Sequence, residues 1–330
     1  MPEIGAIENS IFNIHTIDDF NAVALEIFHY QYKNNIVYKR FVDFLNVDIG
    51  SIKNYSQIPF LPIEFYKQHN VVSGSFVPIT TFTSSGTTGV QTSKHLVKDL
   101  SLYERSFREA FDLFFGKITD YTVLVLLPSY LEREGSSLVY MADNLITESR
   151  NPNSGFYLAE YEKLSNILQS LRETKQKVLL LGVTYALLDL AENYPIDFPE
   201  LILMETGGMK GRRKELVRDE LHNYLKSSFG VSNIYSEYGM TELLSQSYSQ
   251  GGGIFNSPPW MKILIRDVND PLTILSENRT GGINVIDLAN IHSCSFIATQ
   301  DLGKNHSNGS FEILGRFDNS DIRGCNLMIG

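Results

Sequence analysis

An α/β fold is predicted, a mixed but mostly parallel sheet flanked by helices, with a smaller β-rich segment following it. Three observations predict it. Short uninterrupted aliphatic runs, residues 123–127 and 178–181, alternate with segments of helical period, as expected of strands buried on both faces. After Gly251 the helical segments give way to strand-like runs separated by turn signals. The chain of 330 residues is 43% hydrophobic and 20% charged, with 20 Phe and 17 Tyr, enough to bury a large core and too apolar for disorder.

Residues 18–33 read as a helix, because Phe20, Val23, Ala24, Ile27 and Phe28 recur at three- and four-residue steps with Asp18 and Asp19 near its start. Residues 54–64 read as an extended connector interrupted by Pro59 and Pro62. A Ser/Thr/Gly loop, 80–89, leads into a helix over 98–115 with Tyr103, Phe107, Phe111 and Phe114 on one face. Then come a strand at 122–127, a helix at 157–174 and a strand at 178–183. A short helix before Pro195, a strand at 201–205, a helix at 211–229, a strand at 233–236 and a helix-like run at 243–248 follow. The β-rich part has strands at 261–268, 283–288, 294–299 and 310–314, divided by Asn269-Asp270-Pro271 and Thr280-Gly281-Gly282. The expected organisation is an α/β region over 1–250 and a β-rich subdomain over 251–330, together one unit.

A formal charge of -10, from 28 Lys plus Arg against 38 Asp plus Glu, disfavours nucleic-acid binding. Cys294 and Cys325 are the two cysteines, so neither a disulfide framework nor a zinc cluster is expected. Residues 1–10 lack a signal-peptide pattern and no apolar run is long enough to span a bilayer. The expectation is a cytoplasmic protein without a transmembrane segment.

Three loops carry the chemistry. Thr83-Ser84-Ser85-Gly86-Thr87-Thr88-Gly89 offers backbone amides and hydroxyls to an anion, with Lys94 and His95 nearby as sources of positive charge. It is not a P-loop, and a plain Ser/Thr turn is the alternative. Glu205-Thr206-Gly207-Gly208-Met209 joins a strand to a basic helix, and its Gly pair either admits a flat ring or serves the turn alone. Tyr238-Gly239-Met240-Thr241-Glu242 combines an aromatic ring, a hydroxyl and a carboxylate, suited to a base, a phosphate and Mg²⁺. Glu242 reads equally as a helix-start carboxylate.

These loops, with Thr299-Gln300-Asp301-Leu302 and Gly315-Arg316-Phe317-Asp318, follow the order of the motifs of adenylate-forming acid ligases. The chain resembles that superfamily over residues 83–318. Within it, the chain is most similar to the acyl-protein synthetases of bacterial luminescence operons (LuxE type). Ser84-Ser85-Gly86, Pro258-Pro259-Trp260 and the terminal Arg323-Gly324-Cys325-Asn326-Leu327 carry that closer likeness.

The resemblance implies the fold of the N-terminal domain of such ligases, with the C-terminal lid absent or vestigial, since fourteen residues follow Arg316. It implies ATP and Mg²⁺ as cofactors and a carboxylic, fatty acid as substrate. Thr83 to Gly89 would cradle the phosphates with help from Lys94. Gly207 and Gly208 would line the adenine slot, Tyr238 would stack on the base, and Gly239 belongs to the same motif. Thr241 would bind the α-phosphate, Glu242 the metal, Asp301 the ribose hydroxyls and Arg316 the ribose or phosphate. Two departures stand out: Val90-Gln91-Thr92-Ser93 replaces the usual Pro-Lys after the first motif, and Gln300 replaces a Gly.

Cys325 lies nine residues beyond Arg316, a span of at most ~30 Å. The resemblance makes its thiol the acyl acceptor, with hand-off to an acyl reductase or another acceptor protein; an inert terminal Cys is the alternative. Cys294 is expected in the core. Residues 133–137 read either as acyl-pocket wall or as a helix start. Two further activities remain open: an acid–CoA or acid–carrier-protein ligase with its lid supplied elsewhere, and a non-catalytic nucleotide- or acyl-binding module.

Overall fold

The computed structural model describes residues 4–84, 91–128, 135–207 and 216–317. Three helices open the chain: α1 (Ile4–Ile11), α2 (Ile17–Asn34) and α3 (Ile36–Phe44). α2 begins one residue earlier than its apolar period predicts. Thr16 accepts the Asp19 amide while Asp19 caps back onto Thr16, satisfying two of the orphan donors. The connector expected over 54–64 holds a two-residue strand, β1 (Leu61–Pro62), followed by the single-turn α4 (Phe65–Gln68).

Residues 80–83 are not loop but strand β2 (Thr80–Thr83), paired antiparallel with β3 (Lys94–Val97) in a separate two-stranded sheet. The Thr residues that suggest a turn are also β-branched, and here they pack on a pleated surface. Helix α5 (Leu100–Phe115) starts at an Asp99 cap and ends at Gly116, whose φ of 83° suits a residue without Cβ. Tyr103, Phe107 and Phe111 are buried on its inner face.

The parallel part then follows: β4 (Tyr121–Leu126), α6 (Ser137–Ser149), β5 (Gly155–Phe156), α7 (Tyr161–Arg172), β6 (Lys177–Gly182), α8 (Thr184–Asn193), β7 (Ile202–Glu205), α9 (Arg218–Phe229) and β8 (Tyr235–Tyr238), in which the span of α6 and the short β5 go beyond the expected elements. Every residue of β4 is buried, and of β6 only Lys177 is exposed. That is why these runs show no alternation in sequence.

The helix-like run at 243–248 is a correction. Residues 243–246 are not helical, and β9 (Ser247–Ser249) occupies the rest. The amides of Leu244 and Ser245 donate to the buried Asp287 carboxylate at 2.7 and 3.0 Å, so a side chain 42 residues away takes the bonds a helix would need.

β10 (Ile254–Asn256), β11 (Met261–Arg266), β12 (Thr280–Asp287), β13 (Phe296–Asn305) and β14 (Phe311–Arg316) complete the chain. Among the described residues, one sheet runs β11-β12-β13-β14-β10-β9-β8-β7-β6-β4-β5, with β1 pairing parallel to β13. The strands from β5 to β8 are parallel; those from β8 onward to β11 are antiparallel. β8 is therefore the strand at which the sheet changes character, and the carboxyl ends of parallel strands beside such a point are where α/β folds place ligands. Trp260 of the Pro-Pro-Trp segment is core, its indole N–H donating to Ser106 Oγ at 3.0 Å. Cys294 is core as well; burial pushes its thiol up to about 12. No described helix is long and apolar enough to cross a membrane.

Candidate functional site

β7 and β8 end side by side, and their following loops open onto one cleft of about 320 Å³. Thr83 and Ser84 from the β2–β3 hairpin, Thr206 after β7, Gly239, Thr241 and Glu242 after β8, and Arg316 at the end of β14 all contribute to its wall. Four segments widely separated in sequence thus converge on one space.

Glu242 is only 5% exposed. Burial raises its carboxyl above the usual range, opposed by a hydrogen bond from Ser93 and by the charges of Arg316 and Lys67. Ser93 also donates its amide to Ser84 Oγ at 2.9 Å, and the Ser84 amide returns a bond to the Ser93 carbonyl. The hairpin is thereby tied to the Glu242 loop. Beneath that loop lies His95, whose ring Nδ1 is 2.8 Å from the Thr241 carbonyl. Burial pushes its imidazole down to about 4, so His95 is uncharged near neutrality and donates to the carbonyl instead of supplying positive charge.

Asp301 sits beside Arg316 on the neighbouring strand of the β13–β14 ladder. One carboxylate oxygen accepts from Arg316 Nε at 3.0 Å and the other from the Tyr238 hydroxyl at 2.8 Å. The Tyr238 ring meets Phe255 and Phe311 edge-on, at centroid distances of 6.2 and 5.9 Å. Tyr238 is buried behind the wall, and Arg316, with a 72% exposed side chain, reaches into it. Gly207, with φ of 70°, follows Thr206 and donates its amide to Glu205 Oε2 at 2.9 Å. Glu205 in turn accepts from Thr184 and Ser236, tying β7 to β8. Lys94 faces solvent opposite Thr83 in the hairpin and is not among the described wall residues. Ser85, Gly86, Thr87, Thr88, Gly89, Gly208 and Cys325 lie outside the described residues.

The sequence reading missed several members of the wall. Lys67, on α4, supplies a positive charge where Lys94 had been expected to. Ser136 and Ser137 both line the cleft and begin α6, Ser136 capping the Val139 amide, so the helix-start alternative for that segment holds. Glu237 and Gln246 line it too. Strand alternation is the signal that would have found Glu237: it must face the opposite side from Tyr238. Burial, then the negative charge of Glu205, pushes the Glu237 carboxyl up to about 8.

That shift has a testable sign. The native state holds a proton on Glu237 that the unfolded chain has released, so stability falls as pH rises from about 4.5 through 8. Urea titrations at pH 6 and pH 9 should show wild type losing about 2 kcal/mol more than Glu237→Gln. Equal losses would refute the buried, protonated carboxyl.

No protein-family model matches the sequence, and neither does any curated protein. Solved structures do. ATP-bound MatB from Rhodopseudomonas palustris aligns with a TM-score of 0.55 and 18% identity over 72% of this chain and 47% of that one. The chain thus spans about half the length of MatB. 2-Hydroxyisobutyryl-CoA ligase, in an open conformation with 2-HIB-AMP and CoA, aligns with a TM-score of 0.64 and 12% identity over 93% of this chain and 72% of that one. The same ligase in its thioesterification state gives 0.63 and 14%, over 97% and 70%. The chain has the α/β fold of these ligases, as its motif order predicts.

Proposed function

We propose that this chain is an ATP-dependent ligase that joins a carboxylic acid to AMP and then passes the acyl group to a thiol. The observation that carries the proposal is the convergence of Thr83, Ser84, Thr206, Thr241, Glu242 and Arg316 on one cleft at the ends of β7 and β8, in a fold shared with ligases solved with ATP or acyl-AMP bound.

A carboxylate resists substitution because its oxygen is a poor leaving group. Attack of that oxygen on the α-phosphorus of ATP forms an acyl–phosphate bond, breaks the bond to the bridging oxygen and releases pyrophosphate. Positioning and charge neutralisation dominate such a step. In our reading the Thr241 hydroxyl holds the α-phosphate, and Lys67 and Arg316 offset charge on the phosphates. Asp301 accepts the ribose hydroxyls with the lone pairs that Arg316 and Tyr238 leave available. Tyr238 then acts through Asp301, orienting it, and Gly207 with Gly208 borders the base. The hairpin hydroxyls of Thr83 and Ser84 lead into the motif through Gly89 that would cradle the outer phosphates.

The donor set suits Mg²⁺. The described residues contain no cluster of three metal-ligating side chains, and Mg²⁺ characteristically takes one or two carboxylates and completes its oxygen shell from phosphates and water. Glu242, with Ser93 fixing its carboxylate, would hold the ion, which supplies charge neutralisation on the departing pyrophosphate.

The second half of the proposal rests on sequence: Cys325 attacks the acyl carbon, AMP leaves, and the thioester keeps the acyl group activated for an acceptor protein such as an acyl reductase. Such a thiol has to stay reduced, which suits the cytoplasm. The test has two readings. Acid-dependent ATP–pyrophosphate exchange is expected with ATP and Mg²⁺, and its absence across a broad acid panel would refute adenylation. With radiolabelled acid, hydroxylamine-sensitive label is expected on the wild-type chain and not on Cys325→Ser; label retained by the variant would refute transfer to that thiol.

A further inference from the structure

We infer that the acid taken by this cleft carries a hydrogen-bond donor on its carbon chain, a hydroxyl or an amine, received between Glu237 and Gln246. The inference rests on the adenylation reading for the cleft's purpose and narrows its substrate class.

Gln246 is 4% exposed, lines the cleft, and its Oε1 is buried without a hydrogen-bond partner among the described residues. The Thr206 hydroxyl on the same wall is likewise buried and has no partner among the described residues. The Glu237 carboxyl lines the cleft and has no hydrogen-bond partner among the described residues. Glu237 and Gln246 close over Gly239 together. A Cβ built on Gly239 would stand 2.5 Å from Glu237 Oε1 and 3.4 Å from Gln246 Cγ, so the glycine makes room for both.

The same cleft is also lined by Tyr103, Leu138 and Met141. Tyr103 is fixed by its hydroxyl donating to the Ser137 carbonyl at 3.0 Å and lies within electrostatic range of Glu237. These residues offer apolar and aromatic surface to the carbon body of an acid, and the Glu237 and Gln246 pair offers bonds to a polar group on it. A plain alkyl chain would leave the buried Gln246 oxygen without a partner and seal the Glu237 carboxyl away from water with nothing to bond, at a cost of about 1–3 kcal/mol for each such group. A donor on the chain satisfies the Gln246 oxygen, and the protonated Glu237 can donate back to a hydroxyl. An ammonium would instead take Glu237 in its ionised form.

The experiment is ATP–pyrophosphate exchange with unbranched alkanoic, hydroxy- and amino-acids of matched chain length. Hydroxyl- or amino-bearing acids should exchange about 30-fold faster than the alkyl acid. Gln246→Leu should bring the ratio close to one, and Glu237→Gln should lower the exchange of amino acids more than that of hydroxy acids if the donor is an ammonium. Thermal unfolding is read in parallel; should either variant fail to fold, the wild-type ratio alone decides. Equal exchange, or an alkyl preference, overturns the inference and leaves adenylation standing. No exchange with any acid overturns adenylation. Saturation-transfer NMR of the same acids against the ATP-free chain then decides the polar pocket: selective binding of the donor-bearing acids supports it, and equal binding overturns it.

Discussion

Replacing Glu242 by Gln should lower acid-dependent ATP–pyrophosphate exchange by about 10³-fold, roughly 4 kcal/mol of transition-state stabilisation. Gln fills the same volume and can keep a bond to Ser93, so the substitution removes charge with little change in shape. In the free chain that charge is costly: burial raises the carboxyl most, and the bonds from Ser93 and its own backbone amide with the charges of Arg316 and Lys67 oppose it without cancelling it. Thermal unfolding should therefore stay where it is or move up. Lost exchange with undiminished stability separates an ion-holding carboxylate from a structural one. Exchange within tenfold of wild type would remove Glu242 from the site. The rival sequence reading, a carboxylate placed to favour a helix start, has already lost its basis, because no helix follows Glu242.

What the sequence disclosed and what it hid divide along the range of the interactions involved. β4, β6 and β7 were legible because each is an apolar run whose burial needs no particular partner. The Thr206-Gly207 turn and the Tyr238 to Glu242 loop stood out in sequence because their polar and glycine residues sit within a few consecutive positions. Of helix α6 only the start was read, as one of two alternatives for residues 133–137, although Met141, Ala142 and Leu145 carry its buried face. Lys67 and Gln246 could not be found locally, since α4 and the turn before β9 reach the cleft only through tertiary packing. Lys94 had the better sequence argument, next to the Ser/Thr/Gly motif, yet strand pairing turns it to solvent.

The misread run at 243–248 leads to the second large effect. Its spacing of Leu243, Leu244 and Tyr248 suits a helix, and all three are indeed buried. The backbone is held otherwise: Leu243 donates to the Met240 carbonyl in a turn, and the next two amides go to Asp287. Asp287 is 0% exposed and also accepts from Ser245 Oγ at 2.6 Å and the Ala289 amide at 3.2 Å. Asp287→Ala strands four donors at once in the core, and each buried donor left unpaired costs about 1–3 kcal/mol. With relaxation and some water entry, the net loss in urea unfolding should be about 4 kcal/mol. Asp287→Asn preserves one acceptor oxygen and turns an amide towards the remaining donors, so about half that loss is expected. Because the same carboxylate anchors the loop that carries Thr241 and Glu242, the Asn variant, measured while still folded, should also lose at least tenfold in exchange, although Asp287 is not among the residues lining the cleft. A folded Asn variant with unchanged exchange would mean that the Glu242 loop keeps its position without this anchor, and that His95 under Thr241 and Asn290, which donates to the Glu242 carbonyl at 2.7 Å, suffice to hold it.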